Sequence, residues 1–454
     1  MLPLCLPAPC TAAASKAYII MFSNQHKALY LLYFVMLLLV VPHAGFSGDV
    51  DCWWRWSDYI LQEGLPNIYQ FPDVNYNPLY PYVLWLYTKL MGTHEKIMHY
   101  RHALKGFTLL FDFAGAFAAV SLAKGKERRF MLALLLLFNV GYMYNTLAWE
   151  QIDAIYTFLG FMAVLLALRG NTVVSVLCLL LALNTKAQSI IFLPPLLLLW
   201  LPQWLRSARR QVVPALGIAA VVQVLILAPF IWFGSVNYGP RIAQINLHAA
   251  DMYPHLYVGA NNLWTIIAPD SPLKLLESWT DLAVAHGLTY RQWGMLMFMA
   301  ASAVALLPLL ALAWRSWRAN RLLERSELAL VLLSFGIIPL LSTYFNTQMH
   351  ERYWHPAILF LAAYAFLTRR YWLYVVLSIA YFLQLESILH YLELRKYTVL
   401  LFDKYFIAGL FTLLIVGAMV ELYWQALRTL RASGQRATDT APSVSPTQAA
   451  PSLS

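Results

Sequence analysis

Apolar runs of membrane-spanning length, separated by short clusters of Lys and Arg, repeat along most of the chain. A helix needs roughly 20 apolar residues, range about 17–25, to cross the hydrocarbon core of a bilayer. On that measure the pattern predicts an all-α polytopic membrane protein with about twelve spans. They fall at 28–45, 102–123, 130–147, 152–168, 172–185, 187–204, 211–233, 292–314, 328–345, 356–368, 371–388 and 405–427. Of these, 172–185 and 356–368 are short and are expected to be half-buried or broken helices. The run 79–91 differs in kind. It carries Pro81, Tyr80, Tyr82, Tyr87, Trp85 and Lys89, residues typical of the membrane–water boundary, so it is expected to lie at the interface or re-enter. No clean internal repeat accompanies the spans.

Composition narrows the class. The chain is 60% hydrophobic and 12% charged, against about 45–50% and about 25% in soluble domains. That excludes an ordinary soluble enzyme, a disordered protein and a nucleic-acid-binding domain. The net charge of +10 comes from 32 Lys and Arg against 22 Asp and Glu. If 79–91 does not cross, the basic clusters Lys124–Arg129, Arg206–Arg210, Arg315–Arg325, Arg369-Arg370 and Arg428–Arg436 share one side with Lys16, Lys27 and Arg169. The positive-inside rule assigns that side, and both termini, to the cytoplasm. The expected plan is a cytoplasmic segment 1–27, a transmembrane domain 28–431, and a tail 432–454 whose Ser, Thr, Ala, Pro and Gln content predicts disorder. Two extracytoplasmic loops, 46–101 and 234–291, and a shorter turn at 346–355 carry the polar residues of the other side. The first run lacks a small-residue cleavage site and reads as an uncleaved span, with Met1 and Met21 both open as the start. Cys5, Cys10, Cys52 and Cys178 are scattered and form neither a disulfide framework nor a zinc pair.

Charged residues at the span edges of so apolar a chain are costly and mark function. Five clusters stand out, all on the expected extracytoplasmic side. Asp49 and Asp51 precede Trp53, Trp54, Arg55 and Trp56, a candidate base at the membrane surface; the plain alternative is a solvated loop beside an aromatic belt. Spacing alone does not choose between Asp49 and Asp51. Asn75-Tyr76-Asn77-Pro78 opens the interfacial helix, where Pro is also ordinary punctuation. Trp149-Glu150-Gln151-Ile152-Asp153 brings two more carboxylates, which could equally be acids favoured at a helix N-terminus. Asn184-Thr185-Lys186-Ala187-Gln188 sets a lysine between apolar runs, a candidate to hold an anion such as a lipid phosphate, or a snorkelling side chain. Finally, His350-Glu351-Arg352-Tyr353-Trp354-His355 packs an acid, a cation and two imidazoles together. Its second His lies at i+5, which is not the i+4 spacing of zinc proteases, and an ion-paired turn is the plain alternative.

Taken in order, these motifs resemble the GT-C superfamily of polyprenyl-phosphate-sugar-dependent glycosyltransferases. The chain is similar to the glucosyltransferases of asparagine-linked glycosylation and to bacterial mannosyltransferase-like relatives of the GPI-anchor enzymes. Gly48-Asp49-Val50-Asp51 with Arg55-Trp56 resembles G-D-[YF]-E…R-H-W, and Asn75-Tyr76-Asn77-Pro78-Leu79 resembles D-Y-P-P-L. Trp149-Glu150-Gln151-Ile152-Asp153 is similar to W-G-Q-x-D, Ala182 to Gln188 with Pro194-Pro195 to A-L-x-F-K-x-Q…P-P, and Met349 to Tyr353 to M-H-E-R-Y. The likeness spans about residues 45–360. Asn77, Glu150 and Thr185 depart from it and bear on the sugar and acceptor rather than the reaction class.

The resemblance implies a hexose, mannose or glucose, moved with inversion from a polyprenyl-phosphate donor to an extracytoplasmic glycolipid, glycan or protein. It implies Asp49 as the general base. In that mechanism Lys186 and Arg352 are the first candidates for the phosphate, with Lys105 and Arg101 behind them. Asp51, Glu150 and Asp153 orient acceptor hydroxyls or tune the base, and Tyr76, Trp53 and Trp149 stack on sugars. Arg55, Asn77, Gln151, Gln188, His350, Glu351 and Tyr353 complete the expected substrate-binding set. No cofactor and no nucleic-acid partner is expected; a divalent metal among the carboxylates is the lesser alternative, because a single-phosphate donor does not require one. The expected home is a bacterial inner membrane, with the endoplasmic reticulum as alternative. Two rivals stand beside this reading: a surface-glycan polymerase or ligase with a diphosphate-linked donor, and a transporter or flippase, for which Asp112 inside a span is the best sign.

Overall fold

A computed structural model describes residues 22–41, 43, 45–248, 255–267, 283–285 and 287–439. Lys16, Cys5, Cys10, both candidate start positions, the centre of the 234–291 loop and most of the tail lie outside the described residues.

Every expected span forms helix. The helices used below are α1 (Asn24–Val40), α2 (Ser47–Glu63), α3 (Leu79–Met91), α4 (Lys105–Val120), α5 (Lys126–Leu137), α6 (Val140–Leu147), α7 (Asp153–Leu168), α8 (Thr172–Thr185), α9 (Leu193–Trp232), α10 (Gly239–Leu247), α11 (Tyr290–Arg318), α12 (Leu328–Phe345), α13 (His355–Thr368), α14 (Trp372–Leu389) and α15 (Lys404–Asp439). Among the described residues, seven helical stretches are long and apolar enough to cross a membrane: Arg101–Val120, Ala187–Ser207, Arg210–Trp232, Tyr290–Arg318, Arg325–Phe345, Trp372–Leu389 and Lys404–Thr429. The chain is thus a helical, multi-pass membrane protein. The expected span 130–147 is broken. α5 and α6 meet at 56°, because Asn139 leaves the helix to cap α6, accepting from the Tyr142 amide at 3.1 Å, and donates to Tyr374 Oη and Ser378 Oγ, each at 2.7 Å. α1, α7, α8 and α13 are apolar but hold only 10–17 residues, short of the roughly 20 typical of a crossing. The described part of the second loop adds one small antiparallel hairpin, Ala283–Ala285 with Leu288–Thr289.

α12 and α13 form the centre. Nearly every residue of both is buried, as expected of helices apolar on all sides. α7, α4 and α14 pack around them. A second apolar cluster seats the first loop on this bundle. α2 is amphipathic: Val50, Trp53, Trp56 and Ile60 are buried, and they pack with Tyr80 and Leu84 of α3 and with Ile152, Ile155 and Tyr156. α3 has only 13 residues and lies against α2. Tyr82 Oη donates to the Ile226 carbonyl at 2.9 Å, and Asn77 Nδ2 donates to the Leu183 carbonyl at 2.6 Å, pinning the loop to α9 and to the end of α8. The first loop is therefore a folded layer on the ends of the helices.

The approach of α2 to the 148–150 turn is tight. Phe46 N donates to the Ala148 carbonyl at 2.9 Å, and a Cβ on Gly45 would stand 2.5 Å from that carbonyl and closer still to Glu150 Oε1. Gly45→Ala is expected to destabilise the detergent-solubilised protein by about 1–3 kcal/mol, read as a lower thermal midpoint; an unchanged midpoint contradicts this packing.

Candidate active site

Asp49 lies in the first turn of α2, where the helix dipole favours an acid. Gln151 Nε2 donates to Asp49 Oδ2 at 2.5 Å. The Asp49 side chain is 35% exposed, so it is held on one side and open on the other. Arg352 links it to two further acids. Its Nη2 is 3.7 Å from Asp49 Oδ2, its Nε is 3.9 Å from Asp153 Oδ2, and its Nη1 donates to Glu351 Oε1 at 2.8 Å. Asp153 is fully buried at the start of α7 and accepts from Lys186 Nζ at 2.5 Å and Asn145 Nδ2 at 3.5 Å. Lys186 lies under two aromatic faces, 5.7 Å from the Tyr156 ring centre and 5.2 Å from that of Tyr353. Three carboxylates and two cations from four separated segments thus share one site.

Local structure explains each placement. Lys186 is extended (φ −153°, ψ 124°) between α8 and the turn Ala187–Phe192, and this break in the helical path directs its side chain to Asp153. The 348–352 segment is clamped by the second loop: Gln348 N donates to the Leu256 carbonyl at 3.1 Å, and Val258 N to the Met349 carbonyl at 3.1 Å. Gly259 (φ 85°) makes room for Glu351, since a Cβ there would stand 2.6 Å from Glu351 Oε2. Burial works against ionising Glu351, yet Arg352 and His350 hold its carboxyl below the ordinary value. Burial, then Arg352, pushes the His350 imidazole below its ordinary value, with Glu351 opposing them.

Glu150 belongs to a neighbouring, enclosed network. It is 1% exposed and accepts from His102 Nδ1 at 2.8 Å and Lys105 Nζ at 3.1 Å. Lys105 spends its other donors on the His43 and Leu147 carbonyls, at 2.9 and 3.0 Å. Burial pushes the Glu150 carboxyl up, with Lys105 and His102 opposing it. Asp51 joins this side as well. Two residues on from Asp49, it is turned about 200° round the helix, and it meets Arg101 Nη1 at 3.4 Å and Trp54 Nε1 at 3.2 Å. Arg101 Nε in turn donates to His102 Nε2 at 3.4 Å.

The structure therefore brings together Asp49, Gln151, Asp153, Lys186, Glu351, Arg352 and Tyr353. Tyr76 packs at its edge, 5.7 Å between ring centres from Trp56, and Gln188 donates to Tyr156 Oη. His350 touches Glu351, at 3.8 Å. It does not bring Asp51 or Arg55 there: Arg55 is on the surface near Asp73, 3.9 Å away. Lys105 and Glu150 are spent on each other. Asn77 donates to the Leu183 carbonyl and to Asn246, and Trp53 and Trp149 are packed in the interior. Asn145, Tyr156 and His102 escaped the sequence reading. Tyr156 alone had a signal, one helical turn beyond Asp153. Among the described residues no group of three or more His, Cys, Asp or Glu side chains is disposed to hold a metal ion; the acids of the site converge on Arg352 and Lys186 instead.

Comparison with known proteins adds no relative: no family model matches the chain, and no curated protein matches it.

The buried Lys105–Glu150 pair generates a direct expectation. Lys105→Met leaves Glu150 enclosed without its cation, at a cost of about 3–5 kcal/mol. A thermal melt within a degree of the parent contradicts the pairing.

Proposed function

We propose that this chain is an integral-membrane hexosyltransferase of GT-C type, with about twelve spans and both termini cytoplasmic. It moves mannose or glucose from a polyprenyl-phosphate donor to an extracytoplasmic glycolipid, glycan or protein hydroxyl. The observation that carries the reading is Asp49, part-exposed and hydrogen-bonded, within 4 Å of an arginine that reaches the Lys186–Asp153 pair. The resemblance of the same residues to the motifs of that superfamily supports it. The bacterial inner membrane is the proposed site of action, with the endoplasmic reticulum as alternative.

The chemistry follows from the bonds exchanged. The acceptor oxygen attacks the anomeric carbon from the face opposite the phosphate and passes its proton to Asp49. The anomeric C–O bond breaks with its electron pair going to the phosphate oxygen, and the sugar inverts. The donor is a phosphodiester with one negative charge; the departing polyprenyl phosphate carries one more. Lys186 and Arg352 stand ready to neutralise it. The leaving group is already a stable anion, so no general acid is needed. The charge inventory also favours one phosphate over two, since both cations already carry carboxylate partners. Asp112, fully buried in α4, is what a transporter would use, but it stands apart from the site, whose charges gather at helix ends.

Asp49→Asn is expected to lower kcat by about 10²–10⁴-fold while the protein stays folded in the membrane. The assay supplies radiolabelled polyprenyl-phosphate mannose or glucose to membranes containing the chain; undiminished transfer sinks Asp49 as the base, and no transfer from either donor sinks the reading. Lys186→Ala is expected to weaken donor binding by about 10–100-fold, the worth of a charge-assisted hydrogen bond, with little change for the acceptor. Equal losses for both substrates make Lys186 structural. Transfer from the diphosphate-linked donor in place of the monophosphate favours the polymerase class.

A further inference from the structure

Glu150 lies in the left-handed region at φ 63°, a conformation costing a non-glycine residue roughly 1–3 kcal/mol unless its surroundings enforce it. Here the surroundings do enforce it. The side chain is gripped by His102 and Lys105, and Lys105 at the same time binds the Leu147 carbonyl just before the turn and the His43 carbonyl in the segment leading into α2. Gly45, which has no side chain, lies directly against the Ala148 carbonyl and the Glu150 carboxylate. The next residue is Gln151, whose amide N–H donates to the Asn145 carbonyl at 2.9 Å and whose side chain donates to Asp49 at 2.5 Å. A residue in the left-handed region reverses the chain direction sharply, so the aim of Gln151 is set by what holds Glu150.

We propose that Glu150, His102 and Lys105 form a buried positioning device that fixes Gln151 against Asp49, and that none of the three touches substrate. This rests on the reading of Asp49 as the base. It changes the role expected for Glu150 and Lys105 from binding a sugar or phosphate to orienting the carboxylate that takes the proton. Asp51 enters the same device through Arg101, as its outer end. Turning the base by about an ångström is enough to lose rate on the order of 10²-fold without loosening the donor.

The test uses Glu150→Gly, which accepts the left-handed turn without strain but removes the anchor, and Gln151→Ala, which removes the bond itself. In the full-length chain with polyprenyl-phosphate mannose or glucose, both are expected to lower kcat by about 10–100-fold and leave the donor KM within about twofold. The double variant is expected to be no slower than Gln151→Ala alone. A raised donor KM in Glu150→Gly, or losses in kcat that multiply in the double variant, overturns the proposal. Failure of the underlying reading looks different: the unaltered protein transfers nothing, or Asp49→Asn still turns over. A measurement without turnover covers that case. Glu150 is joined to Asp49 through Gln151, so the thermal destabilisations of Glu150→Gly and Asp49→Ala are expected to fall short of adding in the double variant. Full additivity refutes the device whatever the activity.

Discussion

Arg352 is the group on which the site depends. Its guanidinium faces three carboxylates from three places in the chain: Glu351 beside it, Asp49 on α2 and Asp153 at the head of α7. Burying an ion costs several kcal/mol unless a partner of opposite charge accompanies it. That cost makes convergence compulsory. Asp153 is fully buried, and Lys186 and Arg352 are nearly so, so each is tolerable only because the others are within reach. Among these charges Asp49 is the one open to solvent by about a third.

Apolar packing brings the partners to that distance. α12 and α13 present apolar residues all round and bury themselves at the centre, which fixes the turn carrying Arg352 between them. α7 packs against α8 and α13, which fixes Asp153 beside the break that holds Lys186. α2 arrives separately, on its own aromatic cluster. The 148–151 turn locks it in place. Breaks in helical geometry therefore coincide with chemistry: Lys186 extended, Glu150 left-handed, Gly259 left-handed beneath Glu351. Of the three only Glu150, a non-glycine residue in the left-handed region, is strained, and the surrounding structure holds that strain.

The helices were legible in the sequence because hydropathy acts over some twenty residues at a time. Their ends were less so. Asn139 breaks an apolar run through hydrogen bonds to α14, a partner more than two hundred residues away that no local pattern reveals. The charged clusters were legible as clusters, since ions are rare in such a chain. Their division into two networks was not. Asp49 and Asp51 look equivalent on paper, and only the turn of α2 sends one to Arg352 and the other to Arg101. Glu150 and Asp153 separated likewise, because the left-handed turn between α6 and α7 points one carboxylate inward to Lys105 and leaves the other to Lys186. His102 and Asn145 lie in or beside apolar runs, and nothing in their spacing marks them.

The most direct measurement is an electron cryo-microscopy map of the full chain in lipid nanodiscs with polyprenyl-phosphate mannose bound. The account requires phosphate density between Lys186 Nζ and the Arg352 guanidinium, with the anomeric carbon turned toward the open side of Asp49. Phosphate density lodged elsewhere, or Asp49 shut off from the sugar by another part of the chain, contradicts it.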